Sequence, residues 1–304
     1  MTSGILSVVL FCKNCDRTLE VALTSVISQQ CDVELLVLDG GSSDGSVEIL
    51  RKYERYIAYW RSFPDGSSTN AINEGVRRAT GRVIGLLAGD DWYEPKALGK
   101  VIGCFKSNPE LDVLSCGTRV AYFDGRERFL GEVQFTSRKQ LSFTLPNLFR
   151  NPLICGRFIR KSIYETLGGF DARFNTADDL DFLVRVYFSR PQTAVHTELT
   201  YAYRAHPGSR TLSGDMDASL AMSKENLTIA ETYLNSQKLS KDERRALLRT
   251  HGRSAARQAW ILPRRGKFSE AAAVLCQAIR MNWLWPVQVI YWFGCYLLKS
   301  KRIT

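Results

Sequence analysis

The first 110 residues alternate between short apolar runs and segments of helical periodicity, and a carboxylate stands close behind several of the apolar runs. Ile5–Phe11, Glu34–Leu38 and Val83–Leu87 read as buried strands, with a weaker one over Tyr56–Arg61. Thr18–Gln29, Ser46–Arg55, Ser68–Ala79 and a segment from Pro95 to about Lys106 read as helices. Alternation of this kind restricts the chain to a mostly parallel sheet with helices on both faces. Asp39 follows ELLVL, and Asp90 and Asp91 follow VIGLLAG. In an open α/β sheet, ligands bind outside the carboxyl ends of the strands. A buried, unpaired carboxylate is costly, so acids gathered there suit a divalent metal, a ribose or a proton acceptor better than a core.

Beyond residue 110 the pattern becomes mixed. Val113–Cys116 reads as a short strand, and Val120–Phe123 and Phe129–Phe135 flank Asp124-Gly125 as a hairpin would. Leu153–Ile159 reads as a strand, Lys161–Leu167 as a helix stopped by Gly168-Gly169, Asp179–Phe188 as a helix and Thr193–Arg204 as extended chain. The tail is helical over Leu220–Asn235, Lys241–Ile261 and Phe268–Met281. The expected division is an α/β domain over 1–215 and a basic helical region over 216–304.

Charge supports that division. Residues 236–304 carry 14 Lys or Arg against 3 Asp or Glu, whereas the rest of the chain is nearly neutral. This argues against a nucleic-acid-binding catalytic domain and for a basic appendage with its own partner. Within the tail, WLWPVQVIYWFGCYLL at 283–298 is apolar over 16 residues, short of the ~20 a bilayer span needs. Its Trp and Tyr residues and the flanking Lys and Arg suit an anionic membrane surface. The competing reading is a core helix packed on the main domain.

The eight cysteines are scattered, and most sit in apolar runs as small hydrophobes. Cys12 and Cys15 have redox-motif spacing but no second pair to make a zinc site. A reducing, cytoplasmic compartment is expected. MTSGILSVVLF has no basic n-region and reads as the first strand rather than a signal peptide.

Four segments carry chemistry. In DGGSSDGS, Asp39 can accept hydrogen bonds from a base or ribose, and Gly40 and Gly41 permit close backbone approach. The alternative is a polar turn capping the next helix. The segment is not a GxGxxG loop, so hydride transfer with a nicotinamide cofactor is poorly supported. In GLLAGDDWY, adjacent Asp90 and Asp91 are expensive unless a cation neutralises them, and a hard divalent ion would also bind a diphosphate. The alternative is a helix N-cap pair. In ADDLDFLVR, Asp178 and Asp179 start a helix, and Asp179 suits a general base reaching an acceptor hydroxyl. Ordinary capping is the alternative there, and Asp181 with Arg185 reads as a structural pair. In YRAHPGSRT, His206 lies in a loop where it could ligate the metal or meet a phosphate, with Arg210 as a second cation.

In order and spacing these segments resemble the family 2 glycosyltransferases of bacterial surface-polysaccharide type, over roughly residues 5–210. The matched stretches are VVLFCKN with Asn14, DGGSSDGS, PDGSSTNAINEG from Pro64 to Gly75, GDDWY, GGFD with Asp178–Arg185, and Tyr203–Ser209. The resemblance implies a GT-A fold: a Rossmann-like, mostly parallel mixed sheet with helices on both faces. It implies that Asn14, Asp39, Asp65, Asp90, Asp91 and Arg210 surround a nucleotide-diphospho-sugar, most simply a UDP-sugar. Asp91 and His206 would hold Mg²⁺ or Mn²⁺, and Asp179 would act as base in an inverting displacement. The acceptor would be a glycan or a lipid-linked saccharide. Departures from the family pattern are Thr69 and Asn70 in place of a tyrosine and an aspartate, Gly156-Arg157 in place of a His-Gln pair, and Asp178 in place of a glutamate.

Two other readings compete. A nucleotidyltransferase needs a Gly-rich basic loop after the first strand, and Phe11–Thr18 offers only Lys13 and Arg17. A catalytically inactive nucleotide-sugar-binding or scaffold protein on the same fold would tolerate Asn70. The overall expectation is a metal-dependent glycosyltransferase, peripheral on the cytoplasmic face of a membrane.

Overall fold

The computed structural model describes residues 4–209, 215–236 and 238–282. Arg210 and the aromatic run 283–298 lie outside the described residues. The chain forms two compact units, Met1–Ser213 and Gly214–Thr304.

The first unit opens with β1 (Leu6–Cys12), α1 (Leu19–Ile27), β2 (Val33–Asp39), α2 (Ser46–Tyr53), β3 (Tyr59–Ser62), α3 (Ser68–Arg78) and β4 (Val83–Ala88). β5 (Trp92–Tyr93), α4 (Ala97–Ser107), β6 (Val113–Phe123), β7 (Phe129–Phe135), α5 (Arg138–Leu141) and α6 (Leu145–Leu148) follow. β8 (Arg157–Arg160), α7 (Lys161–Leu167), α8 (Asp178–Phe188) and β9 (Thr193–Ala205) complete it. The nine strands form one sheet in the order β3-β2-β1-β4-β8-β6-β9-β5, with β7 pairing β6.

The four N-terminal strands run parallel. β1 is buried at nearly every position, as its largely apolar sequence implies for a central parallel strand, and α3 packs on it. α3 lies close on this sheet through Gly75, where a Cβ would fall 2.3 Å from Val9 Cγ1. β8 then joins antiparallel between β4 and β6, through two residue pairs to β4 (Val83 with Arg160, Ile84 with Ile159). β7 and β8 occupy successive stretches of β6, and β9 runs parallel to β6 on its other side.

Several elements differ from the sequence reading. Val113–Cys116 and Val120–Phe123 are one strand of 11 residues. Leu153–Ile159 is a 3₁₀ turn over Ile154–Gly156 followed by β8, because the Arg157 side chain reaches back to the backbone carbonyls of 151–153. Pro95 stands outside α4, since Lys96 takes a left-handed conformation as its N-cap.

The second unit is helical, with α9 (Met216–Ser236), α10 (Lys241–Ile261) and α11 (Phe268–Met281). α10 packs against both others. A capping box starts α10, with Glu243 N–H donating to Ser240 Oγ (3.3 Å) and Ser240 N–H to Glu243 Oε2 (2.8 Å). Its buried His251 meets Glu231 Oε1 at 2.9 Å, and Gln277 donates to the same oxygen at 2.6 Å. No helix among the described residues is long and apolar enough to cross a membrane.

Candidate active site

The carboxyl ends of β1, β2, β3 and β4 lie on one side of the sheet, since these strands are parallel. The loop after β2 begins at Asp39, whose side chain is fully buried. Its Oδ2 accepts the N–H of Gly41 (3.2 Å) and Ser42 (2.9 Å) and the Ser62 hydroxyl (2.5 Å), and its Oδ1 accepts the Ser42 hydroxyl and the Cys12 thiol. Burial works against ionisation here, but these donors outweigh it and hold the carboxyl below its ordinary pKa. Gly41 has φ 76°, and a Cβ there would sit 2.8 Å from Pro64 Cδ. Glycine at position 41 therefore lets this loop meet the loop after β3.

Asn14 ties the loop after β1 to the same place. Its side-chain Oδ1 accepts Ser43 N–H at 2.9 Å and its own N–H reaches Ser42 Oγ at 2.7 Å. Asp65 is anchored by Arg61 at 2.9 Å, and Arg61 also grips Glu74 (3.0 Å) and the Asp39 carbonyl (2.6 Å). The sequence reading missed Arg61, although an arginine at the end of a half-buried strand is a signal that a buried acid must answer. Asn70 Nδ2 donates to the Asp65 carbonyl at 2.8 Å, so this departure from the family pattern braces the turn.

After β4 the two adjacent acids part company. Asp91 is 1% exposed, accepts the Tyr201 hydroxyl, and takes the Arg204 N–H at 2.7 Å. Burial, and secondarily Asp90, push its carboxyl pKa well above the ordinary value. The carboxylate that meets His206 is Asp90, with Oδ2 3.2 Å from Nε2 and both side chains partly exposed. His206 Nδ1 accepts the Gly208 N–H at 3.2 Å, which assigns the ring proton to Nε2.

This bears on a metal. Among the described residues no three His, Cys, Asp or Glu side chains cluster as a ready-made cage. The residues present fit a hard cation that keeps waters and takes oxygens from a substrate diphosphate, with Asp90 as its carboxylate. Ligation through His206 Nε2 requires the other tautomer, with Nδ1 carrying the proton and the Gly208 N–H released.

α8 brings the third group. Asp178 is buried and accepts the Thr69 hydroxyl at 2.6 Å, joining the N-terminal ends of α3 and α8. Thr69 stands where the family pattern has a tyrosine. Asp179 is half-exposed, with Oδ1 accepting the N–H of Leu180 at 2.7 Å. Asp181 pairs with Arg185 at 2.8 Å, and Arg185 also holds the Leu167 and Gly169 carbonyls, a structural clamp as the spacing implied. Asn73 and Phe170 exchange two bonds of 2.8 Å and fix the GGFD turn to α3.

The 3₁₀ turn Ile154–Gly156 touches β4, β6, β9 and α8. The Cys155 thiol there is pushed up by burial first, and then by the nearby charges of Asp91, Asp179 and Asp90. Beside it, burial lowers the Arg157 guanidinium to about 10, partly offset by Asp179 and Cys116. One buried turn thus lies within electrostatic reach of the acids after β4 and the acid on α8. The sequence reading did not single out Cys155, Tyr201 or Arg204.

A parallel α/β half carrying acid-rich loops, joined to a mixed half that adds a further carboxylate, defines a GT-A-type protein. The chain belongs to glycosyl transferase family 2, whose sequence profile matches residues 7–168. An uncharacterised glycosyltransferase of Mycobacterium tuberculosis is 29% identical over 156 residues, covering 50% of this chain and 56% of that protein. The chain thus spans little more than half the length of that relative. A PGL/p-HBAD biosynthesis glycosyltransferase of Mycobacterium bovis is 28% identical over 203 residues, covering 63% of this chain and 72% of the other. Among solved structures, S. aureus TarS 1–349 in complex with UDP-GlcNAc has TM-score 0.57 at 16% identity, covering 88% of this chain and 90% of that one. A mannosyltransferase from Pyrobaculum calidifontis in complex with GDP-Man and Mn²⁺ has TM-score 0.61 at 16% identity, covering 98% and 81%.

Proposed function

We propose that this protein is an inverting glycosyltransferase that moves a sugar from a nucleoside-diphosphate donor, UDP-linked, to a hydroxyl of a glycan or lipid-linked saccharide. The observation that carries this reading is the pair Asp90 and Asp91 directly after β4, with His206 3.2 Å from Asp90, and Asp179 in the first turn of α8, which packs on the same 3₁₀ turn as β4. The complexes of the two solved neighbours with UDP-GlcNAc and with GDP-Man support the donor class.

The nucleotide end of the donor meets the loops of Asn14, Asp39 and Asp65. Because the Asp39 carboxylate is already engaged by its own loop, its part is to present Ser42 and the Gly40-Gly41 backbone. Asp90, with His206 in its other tautomer, would hold Mg²⁺ or Mn²⁺. Such an ion supplies Lewis-acid neutralisation of charge on the leaving diphosphate. In the tautomer assigned above, His206 instead offers Nε2–H as a donor. Asp179 accepts the proton of the acceptor hydroxyl. The acceptor oxygen forms its bond to the anomeric carbon as the bond to the diphosphate oxygen breaks, and the electron pair departs with the diphosphate.

Release of UDP from a panel of nucleotide-sugars, with and without Mn²⁺, tests the donor class. Asp179→Asn should keep nucleotide affinity within about twofold while turnover falls roughly 10²–10⁴-fold. Turnover retained in that variant would sink the base assignment. Binding without turnover in the wild type would favour a non-catalytic protein on this fold.

A further inference from the structure

The helical unit carries a feature that sugar transfer leaves unexplained. Arg245, Arg249, Arg253 and Arg257 recur every four residues along α10, and all four are exposed. On a helix this spacing puts them on one face over about 18 Å. Asp242, in the first turn, is the exposed carboxylate of α10, while Glu243 is buried in the capping box. No described carboxylate pairs with Arg245, Arg249 or Arg257, whereas Arg265 is held by Asp217 (2.7 Å) and Lys267 by Glu270 (2.9 Å). Like charges four apart destabilise a helix, so the stripe works against the fold that carries it.

The stripe runs into an aromatic tip. Trp260, at the end of α10, is 44% exposed, and Phe268, at the start of α11, is 68% exposed. Arg264 lies over the Trp260 ring, 3.9 Å from its centroid. Beyond α11 the sequence continues into WLWPVQVIYWFGCYLL and then KSKR. An acidic protein or a nucleic acid would answer the arginines, but it would leave apolar Phe268 and this aromatic continuation unused. A lipid interface takes both, with anionic headgroups on the basic face and ring systems at headgroup depth.

We infer that the exposed face of α10, from Arg245 to Arg257 with Trp260 and Phe268 at its tip, docks on an anionic lipid surface. The contact deepens the functional reading above, resting on it for its purpose: an enzyme held at a membrane face meets a lipid-linked acceptor.

The test is co-sedimentation of the full chain with phosphatidylcholine vesicles, with or without phosphatidylglycerol, at low and high salt. Wild type should bind the phosphatidylglycerol vesicles, release at high salt, and ignore phosphatidylcholine alone. The double variant Arg249→Glu/Arg257→Glu should bind roughly tenfold or more weakly at low salt. Its thermal unfolding should fall at or above that of wild type, since the substitutions relieve the like-charge repulsion, and its release of UDP from free donor should match wild type, because both positions are exposed and lie outside the proposed site. Undiminished binding by the variant would overturn the proposal, since other residues would then hold the lipid. So would a wild type that binds no vesicle, or one that binds heparin more tightly than lipid at equal salt. Absence of UDP release with vesicle binding intact would instead count against the transferase reading alone.

Discussion

At the scale of single residues, adjacent positions with the same sequence signature have opposite fates. Asp90 and Asp91 are indistinguishable in GDDWY, yet Asp91 turns inward to Tyr201 and the Arg204 backbone while Asp90 meets His206. What separates them comes from β9, more than 100 residues away, and no local pattern could carry it. Asp39 stood out in the sequence as a candidate site residue, and in the structure it holds its own loop. Asp39→Asn keeps the shape and exchanges a carboxylate oxygen for an amide donor facing the Gly41 and Ser42 N–H groups and the Ser62 hydroxyl. The expected loss is about 1–3 kcal/mol at pH 7. The folded-state pKa of Asp39 lies below the ordinary value, so its charge-dependent stabilisation is present above about pH 4 and is lost as pH falls through the folded value. Urea midpoints of wild type and variant should therefore converge as the pH is lowered below about 4. A gap that widens there would show that the donors do not favour the charged form.

At the scale of elements, amphipathic and strongly punctuated segments were legible. α7, α10 and α11 have the bounds their periodicity and flanking residues implied, and β7 lies where Asp124-Gly125 demanded a hairpin. β5, at two residues, and α5 and α6, at four each, are too short to show a period and are held by tertiary packing. The bond from Thr69 to Asp178 belongs to this scale, because it joins the starts of two helices distant in sequence. Thr69→Val preserves volume and removes one donor from a carboxylate that is 2% exposed. It should cost about 1–3 kcal/mol in chemical denaturation, and Thr69→Ser should restore most of the loss. Since Asp179 follows Asp178 on the same turn of α8, turnover should fall by a larger factor than donor affinity. Equal losses in both would mean that the bond serves only stability.

At the scale of the whole first unit, the change from a parallel to a mixed sheet was legible from the change of pattern near residue 110, but the joint between the halves was not. A strand of four residues, β8, carries it with two residue pairs to β4 and three to β6. Packing reinforces so short a ladder. Phe158 is fully buried, a Cβ at Gly85 of β4 would fall 2.8 Å from its ring, and its centroid lies 5.7 Å from that of Tyr93. Tyr93 in turn donates to the Leu86 carbonyl at 2.8 Å. The ring therefore packs β8 against β4, the strand that ends in the loop of Asp90 and Asp91. Phe158→Leu keeps the site apolar and trims its volume, at an expected cost of about 1–1.5 kcal/mol. Nucleotide affinity, which the proposed site rests on the loops after β1, β2, β3 and β4, should stay within about twofold. Turnover requires both halves in register and should drop roughly tenfold or more, because misplacement by about an ångström is costly to an aligned displacement. Isothermal titration with UDP beside steady-state turnover separates the two quantities. A variant that loses affinity and turnover in equal measure would show that β8 supports the donor loops themselves rather than their alignment with the acceptor side.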